Sequence, residues 1–168
     1  MANRTVNNPH TVRGRNPQYI IAKIIRSRIY ECRYWKEECF ALTAEHLVDK
    51  AMELKYIGGV YSGNMKPSPF LCLTLKMLQL QPHKDIAIEF IKNQAFKYVR
   101  ALGAFYLRLI SSSVDCYKYL SPLLNDYQKI KTQGHDGKFT ISHMDEFIDD
   151  LLREDRAIDV LLPRIQKR

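Results

Sequence analysis

Between Phe96 and Leu109 the chain carries charge only at Lys97, Arg100 and Arg108, and every other position except Gly103 is apolar or aromatic. At about 100° of rotation per residue these three cations fall within an arc of roughly 80°, which leaves the rest of the circumference without charge. A helix of that kind has to be enclosed by other elements. The stretch therefore predicts a central helix over about 96–110 and an all-α fold, a single compact multi-helix bundle packed around it with one basic stripe left at the surface.

At 168 residues the chain is long enough to bury a core without disulfide or metal staples. Its 26 Lys and Arg against 18 Asp and Glu, a formal charge of +8, favour nucleic acid or acidic protein partners and are silent on fold. The sign is unevenly placed. Residues 1–36 hold eight basic side chains against the single Glu31, whereas 145–159 hold seven acids against Arg153 and Arg156. Cys32, Cys39, Cys72 and Cys116 are far apart, with no C-x-x-C pair and no His at metal-ligand spacing, and read as reduced thiols. The chain has no uncharged apolar run of about 18 residues and no basic-then-apolar leader, so it reads as cytosolic or nuclear, with no membrane contact.

Residues 1–15 are polar and carry Pro9 and Gly14, which predicts a flexible basic arm, followed by one helical domain over 16–168. Asn16 with Pro17 signals a capped helix running to about Tyr30, with Ile21, Ile24 and Ile25 inward and Arg28 on that same face, snorkelling or paired inside. Glu31 to Phe40 reads as an irregular or short helical connection. A second helix behind Thr43 buries Leu47, Val48, Ala51 and Met52 and stops at Gly58 and Gly59. Ser68 and Pro69 open an apolar helix to Leu80, and another runs from about Lys84 to Asn93. Val114 to Leu120 and Ser121 to about Ile130 read as helical pieces, the second with Leu123, Leu124, Tyr127 and Ile130 inward. Alternation around Phe139 and Ile141 admits one short β-hairpin near 129–141. Ser142 and Asp145 make a capping box before a helix with the stripe Met144, Phe147, Ile148, Leu151 and Leu152, and a last helical piece spans Arg156 to Leu162.

Catalytic constellations are absent from the sequence. The five His are scattered without a Ser, Cys or second His at a motif spacing, so neither enzyme nor cofactor is expected. Gly58 and Gly63 have the spacing of a phosphate-binding loop, but Asn64 and Met65 stand where Lys and Ser or Thr are needed. The turn at Gly137 is no calcium loop, because Thr132 and His143 occupy the first and last ligand positions.

Three surfaces remain. Asp145, Glu146, Asp149 and Asp150 share one helix face, and their like-charge pairs, each costing roughly 0.2–0.5 kcal/mol, suit a basic partner or a solvated face. The loop Gly58 to Pro69, with Tyr56, Tyr61 and Met65, is either a passive connector or one wall of a peptide-accepting groove. Arg4, Arg13, Arg15, Lys23 and Arg26 form a basic pole that fits weak, sequence-blind RNA phosphate contacts, since no base-reading platform accompanies it.

Long ungapped words give the chain a resemblance. Asn16-Pro17-Gln18-Tyr19, Tyr34-Trp35-Lys36-Glu37-Glu38-Cys39-Phe40, Val48 to Leu54, Gly58-Gly59-Val60-Tyr61, Pro69 to Gln79, Phe96 to Arg100, Asp115 to Leu120 and Asp145 to Asp149 closely resemble the pre-mRNA-splicing factor 38 family. The resemblance implies a nuclear, non-catalytic helical scaffold that joins the spliceosome with or beside the tri-snRNP and is needed for its activation, and the scaffold is expected to be a monomer. It also implies partners: a zinc-finger splicing factor, one of the microfibrillar-associated type, and the large central spliceosomal scaffold. Some members of the family continue into a tail rich in Arg and Ser.

Overall fold

The computed structural model describes residues 16–167. The expected arm of residues 1–15 lies outside them. The predicted central helix is present as Lys97–Ile110, and every residue from Val99 through Leu109 is buried. Six further α-helices accompany it among the described residues, so in chain order α1 is Lys23–Glu31, α2 Ala44–Met52, α3 Pro69–Leu80, α4 Lys84–Lys92, α5 the central helix, α6 Ser113–Leu120 and α7 Met144–Arg153. Helices α2, α3, α4, α6 and α7 all contact α5. Phe70 of α3, Phe105 of α5 and Phe147 of α7 meet at its middle, with ring centroids 5.8 to 6.5 Å apart. On another side α4 approaches so closely that a Cβ on Gly103 would lie 2.5 Å from Phe90 Cβ and 2.9 Å from the Ala87 carbonyl.

The basic stripe expected at the surface of α5 is not there. Arg100 and Arg108 are only 9% and 3% exposed, because the fold gives each guanidinium internal acceptors. Arg100 Nε donates to the Ile91 carbonyl and its Nη1 to Asp126, both at 2.7 Å. Arg108 donates to the carbonyls of Leu151 and Pro163, both at 2.6 Å, tying α5 to α7 and to the chain beyond it. A planar fork of donors suits such convergence of carbonyls.

The fold is mixed α and β, not all-α. The strands are β1 Ile57–Gly58, β2 Val60–Tyr61, β3 Lys66–Pro67, β4 Lys129–Gln133, β5 Phe139–His143, β6 Arg156–Ala157 and β7 Val160–Leu161. Among the described residues they form three small sheets, in the orders β1-β4-β5, β2-β3 and β6-β7, with β1 parallel to β4 and the other pairs antiparallel. The hairpin expected near 129–141 is β4–β5, and it replaces the end of the helical piece drawn to Ile130, leaving Tyr127 68% exposed. Only a 3-10 turn, Ser121–Asn125, remains of that piece. The helix expected over Arg156 to Leu162 is the β6–β7 hairpin, whose turn residues Ile158 and Asp159 both have positive φ. A β-branched residue rarely adopts that conformation. Here Asp159 anchors it, accepting from Val60 N–H at 2.8 Å and pairing with His135 Nε2 at 2.7 Å.

The N-terminal signals are local and correct, but the helix is interrupted. Asn16 Oδ1 accepts the Gln18 N–H at 3.2 Å, Pro17–Ile20 forms a 3-10 turn, and the chain becomes extended at Ile21 before α1 begins. The interruption changes the helical phase, so Ile21, Ile25 and Ile29 are buried, while Ile24 and Arg28 face outward. Trp35–Cys39 is a π-helical turn that buries Trp35. Helix α2 ends at Met52, well before Gly58, and Met52 is exposed, because Leu54 and Ile57 continue into the core as extended chain beside β4.

Candidate protein-interaction surfaces

Helix α7 buries Met144, Phe147, Ile148 and Leu151, which forces Asp145, Glu146, Asp149 and Asp150 onto its outer side. The capping box does not form. The helix starts without a side-chain cap, and Ser142 Oγ donates to Glu146 at 3.2 Å while His143 Nδ1 contacts the same carboxylate at 2.9 Å. Arg153 pairs with Asp149 at 3.3 Å, but among the described residues no ion pair reaches Asp145 or Asp150. Partial burial, and then repulsion from Glu154 and Asp149, push the Asp150 carboxyl above its ordinary pKa. A carboxylate held in that way loses stability whenever it is ionised, so this face carries an electrostatic cost at neutral pH.

The Gly58 to Pro69 segment is an ordered hairpin, β2–β3, with Val60 opposite Pro67 and Tyr61 opposite Lys66. Its tip is fastened to the β4–β5 turn by a bond from Ser62 N–H to the His135 carbonyl at 2.7 Å. Gly59 is required where it stands, since a Cβ there would collide with the Asp159 carboxylate at 2.0 Å. Tyr61 and Met65 are half-buried, and Met65 packs on the core at a positive φ of 54°. Tyr56 is half-buried too and meets Phe139 edge-on at 4.9 Å, with burial first and Tyr61 second raising the pKa of its phenol. A pocket of about 280 Å³ opens between Tyr34, Leu54, Tyr56 and Pro69, rimmed by the ion pair of Lys50 with Glu38. Tyr61 and Met65 do not line it, so the three residues read together from the sequence occupy adjoining surfaces.

Of the basic pole, Arg4, Arg13 and Arg15 lie outside the described residues. Lys23 is exposed, while Arg26 donates to the Ile21 carbonyl at 3.0 Å and stacks 4.5 Å over the Tyr19 ring. The sequence reading missed an open groove of about 1290 Å³ between Tyr19, Tyr117, Leu152 and residues 161–167. Its wall is the C-terminal segment, pinned by Tyr117 to the Gln166 carbonyl at 2.7 Å and by Gln166 N–H to Ser113 at 2.8 Å. No local pattern announces those contacts, which join residues about fifty positions apart. Cys32 and Cys72, read as separate thiols, have their sulfurs 3.6 Å apart, and the hydrogen bond between them lowers the Cys32 thiol to about 6. Among the described residues no cluster of His, Cys, Asp or Glu is arranged to hold a metal, and no helix is long and apolar enough to cross a membrane.

Comparison with known proteins gives these surfaces a context. Pre-mRNA-splicing factor 38A of Xenopus laevis is 69% identical over 168 residues and that of Homo sapiens 66%, each match covering 100% of this chain and 54% of the relative. The chain thus spans about half the length of the curated relatives it matches. A chain in the crystal structure of the Snu23-Prp38-MFAP1(217-258) complex of Chaetomium thermophilum superposes with a TM-score of 0.88 at 42% identity, over 95% of this chain and 84% of that one. The PRP38 family model matches residues 10–168, and with these identities along the whole sequence the chain belongs to the PRP38 family.

Proposed function

We propose that this chain is a non-catalytic, nuclear scaffold of the spliceosome, needed for spliceosome activation, that holds counterparts of Snu23 and MFAP1 on separate surfaces. The observation that carries the reading is the match, at 42% identity and a TM-score of 0.88, to a chain solved within a three-protein assembly. The acidic side of α7 is the first candidate seat. Four carboxylates on one helix side, two of them without an ion pair among the described residues, suit a partner helix rich in Lys and Arg.

The quadruple variant D145N, E146Q, D149N, D150N is expected to weaken at least one of these partners about tenfold or more, with Tm unchanged or higher because the repulsion around Asp150 is relieved. Pull-down from nuclear extract and a thermal melt check both halves. Recovery of every partner undiminished refutes the surface assignment.

Tyr56, Tyr61 and Met65 form the second proposed seat, a wall for a peptide segment of a partner. Replacing Tyr61 and Met65 by Ala is expected to cost at least about 1 kcal/mol of affinity at one partner with helical content unchanged. Circular dichroism together with calorimetric titration separates this outcome from a passive connector, for which affinity does not move.

A further inference from the structure

The register of the β4–β5 hairpin determines which backbone groups of β5 are free. Gly134 N–H donates to the Lys138 carbonyl and Met144 N–H to that of Gln128, both at 2.9 Å, and between these bonds Thr132 lies opposite Thr140 and Ile130 opposite Ser142. Those are the hydrogen-bonded pairs of the antiparallel ladder, so the residues between them turn their N–H and C=O groups away from the partner strand. On β4 that side is occupied, since Lys131 N–H donates to the Tyr98 hydroxyl at 2.9 Å, the Lys129 carbonyl accepts from Lys97, and β1 pairs alongside Thr132 and Gln133. On β5 the outward groups belong to Phe139, Ile141 and His143. Among the described residues no backbone hydrogen bond reaches Phe139 or Ile141 on that side.

The edge also lacks the usual protection. A free edge strand is ordinarily blunted by a Pro, a charge within the strand, or a bulge. Strand β5, Phe-Thr-Ile-Ser-His, has no Pro, Lys or acid, and pairs with β4 without a skipped position. Phe139 and Ile141 are 48% and 61% exposed on the same face. The charged groups along that face are the lysines of β4, Lys131, whose ammonium sits 5.0 Å over the Phe139 ring, and Lys129, with Glu146 of α7 against His143 at the far end of the strand. Neither strand contains an acid.

We propose that β5 is a strand-addition site for an extended acidic segment of a partner protein, one with aliphatic or aromatic residues at alternate positions. The outward amides and carbonyls of Phe139 and Ile141 supply the ladder, the two side chains receive the alternate apolar residues, and Lys129 and Lys131 attract the acids. A second copy of this chain is a poorer occupant, because edge-to-edge pairing would bring together two sets of these lysines on molecules that each carry +8. The site adjoins the start of α7, where His143 contacts Glu146, but it uses backbone groups of Phe139 and Ile141 that the acidic side of α7 does not, so its failure leaves the scaffold reading standing.

The probe is a blocked nine-residue peptide alternating Val with Glu, titrated into the folded chain while amide hydrogen exchange is followed by NMR. Protection is expected to rise at Phe139 and Ile141 with peptide concentration. Affinity is expected to fall about tenfold when the peptide amides facing β5 are N-methylated, and again when Lys replaces Glu. Unchanged exchange at Phe139 and Ile141 under millimolar peptide overturns the proposal, as does equal binding of the N-methylated or the Lys peptide. Concentration-dependent dimerisation of the free chain that protects the same two amides overturns it in favour of self-pairing.

Discussion

Replacing Asp126 by Ala is expected to destabilise the fold by about 3–5 kcal/mol, the range for breaking a buried ion pair by removing one partner. Asp126 accepts from Arg100 Nη1 at 2.7 Å, with the two side chains only 10% and 8% exposed. It also accepts from the Gln128 N–H at 3.0 Å, and its own carbonyl receives the Asp145 N–H at 2.8 Å at the start of α7. The Ala variant leaves a guanidinium on the central helix without its counter-charge. Replacing both members, with Arg100→Met added to Asp126→Ala, is expected to cost less than Asp126→Ala alone, because no uncompensated charge then remains. The pair also sets an acid dependence. Burial raises the Asp126 pKa, but hydrogen bonds from Gln128 and Arg100 outweigh it and hold the carboxyl below its ordinary value. The sign follows: the stabilisation is complete above the unfolded-state pKa of about 4 and is lost as pH falls through the lower folded value. Urea melts at pH 7 and pH 3 are expected to show a smaller acid loss in the Asp126 variant than in the wild type.

The second large effect is expected at Phe105. Its ring is fully buried, 5.8 Å from Phe70 and 6.5 Å from Phe147, so it joins three helices at one point. Phe105→Ala is expected to cost about 3–5 kcal/mol through lost transfer energy and an unfilled cavity. Chemical denaturation monitored by Trp35, which is buried, gives the value. A loss below about 1 kcal/mol would mean that the junction collapses around the smaller side chain and does not set the helix arrangement.

What the sequence disclosed follows the range of the forces involved. Short-range signals were legible: Ser68 accepts the Leu71 N–H at 3.2 Å ahead of Pro69, as its spacing predicts, and the apolar positions between Val99 and Leu109 are buried as their pattern requires. The α7 stripe was legible too, and with it the outward position of the acids. The β4–β5 hairpin was legible from its alternation, but the other strands were not, because β1, β2, β3, β6 and β7 have two residues each, too few for an alternating pattern to exist. Arg100 and Arg108 were misplaced for the same reason in reverse. Their acceptors, Ile91, Asp126, Leu151 and Pro163, lie outside the helix and 9 to 55 positions away, and periodicity within one helix is blind to them. Among the candidate surfaces, the acidic one is a property of a single helix and was readable. The C-terminal groove and the free β5 edge are made by tertiary pairing and were not.

The scaffold reading is tested most directly by mixing this chain with its own organism's counterparts of Snu23 and MFAP1 and measuring the mass of the product by light scattering after gel filtration. The account predicts one complex containing one copy of each protein, with either partner still binding when the other is already bound. Elution of the folded chain alone, or displacement of one partner by the other, would contradict it.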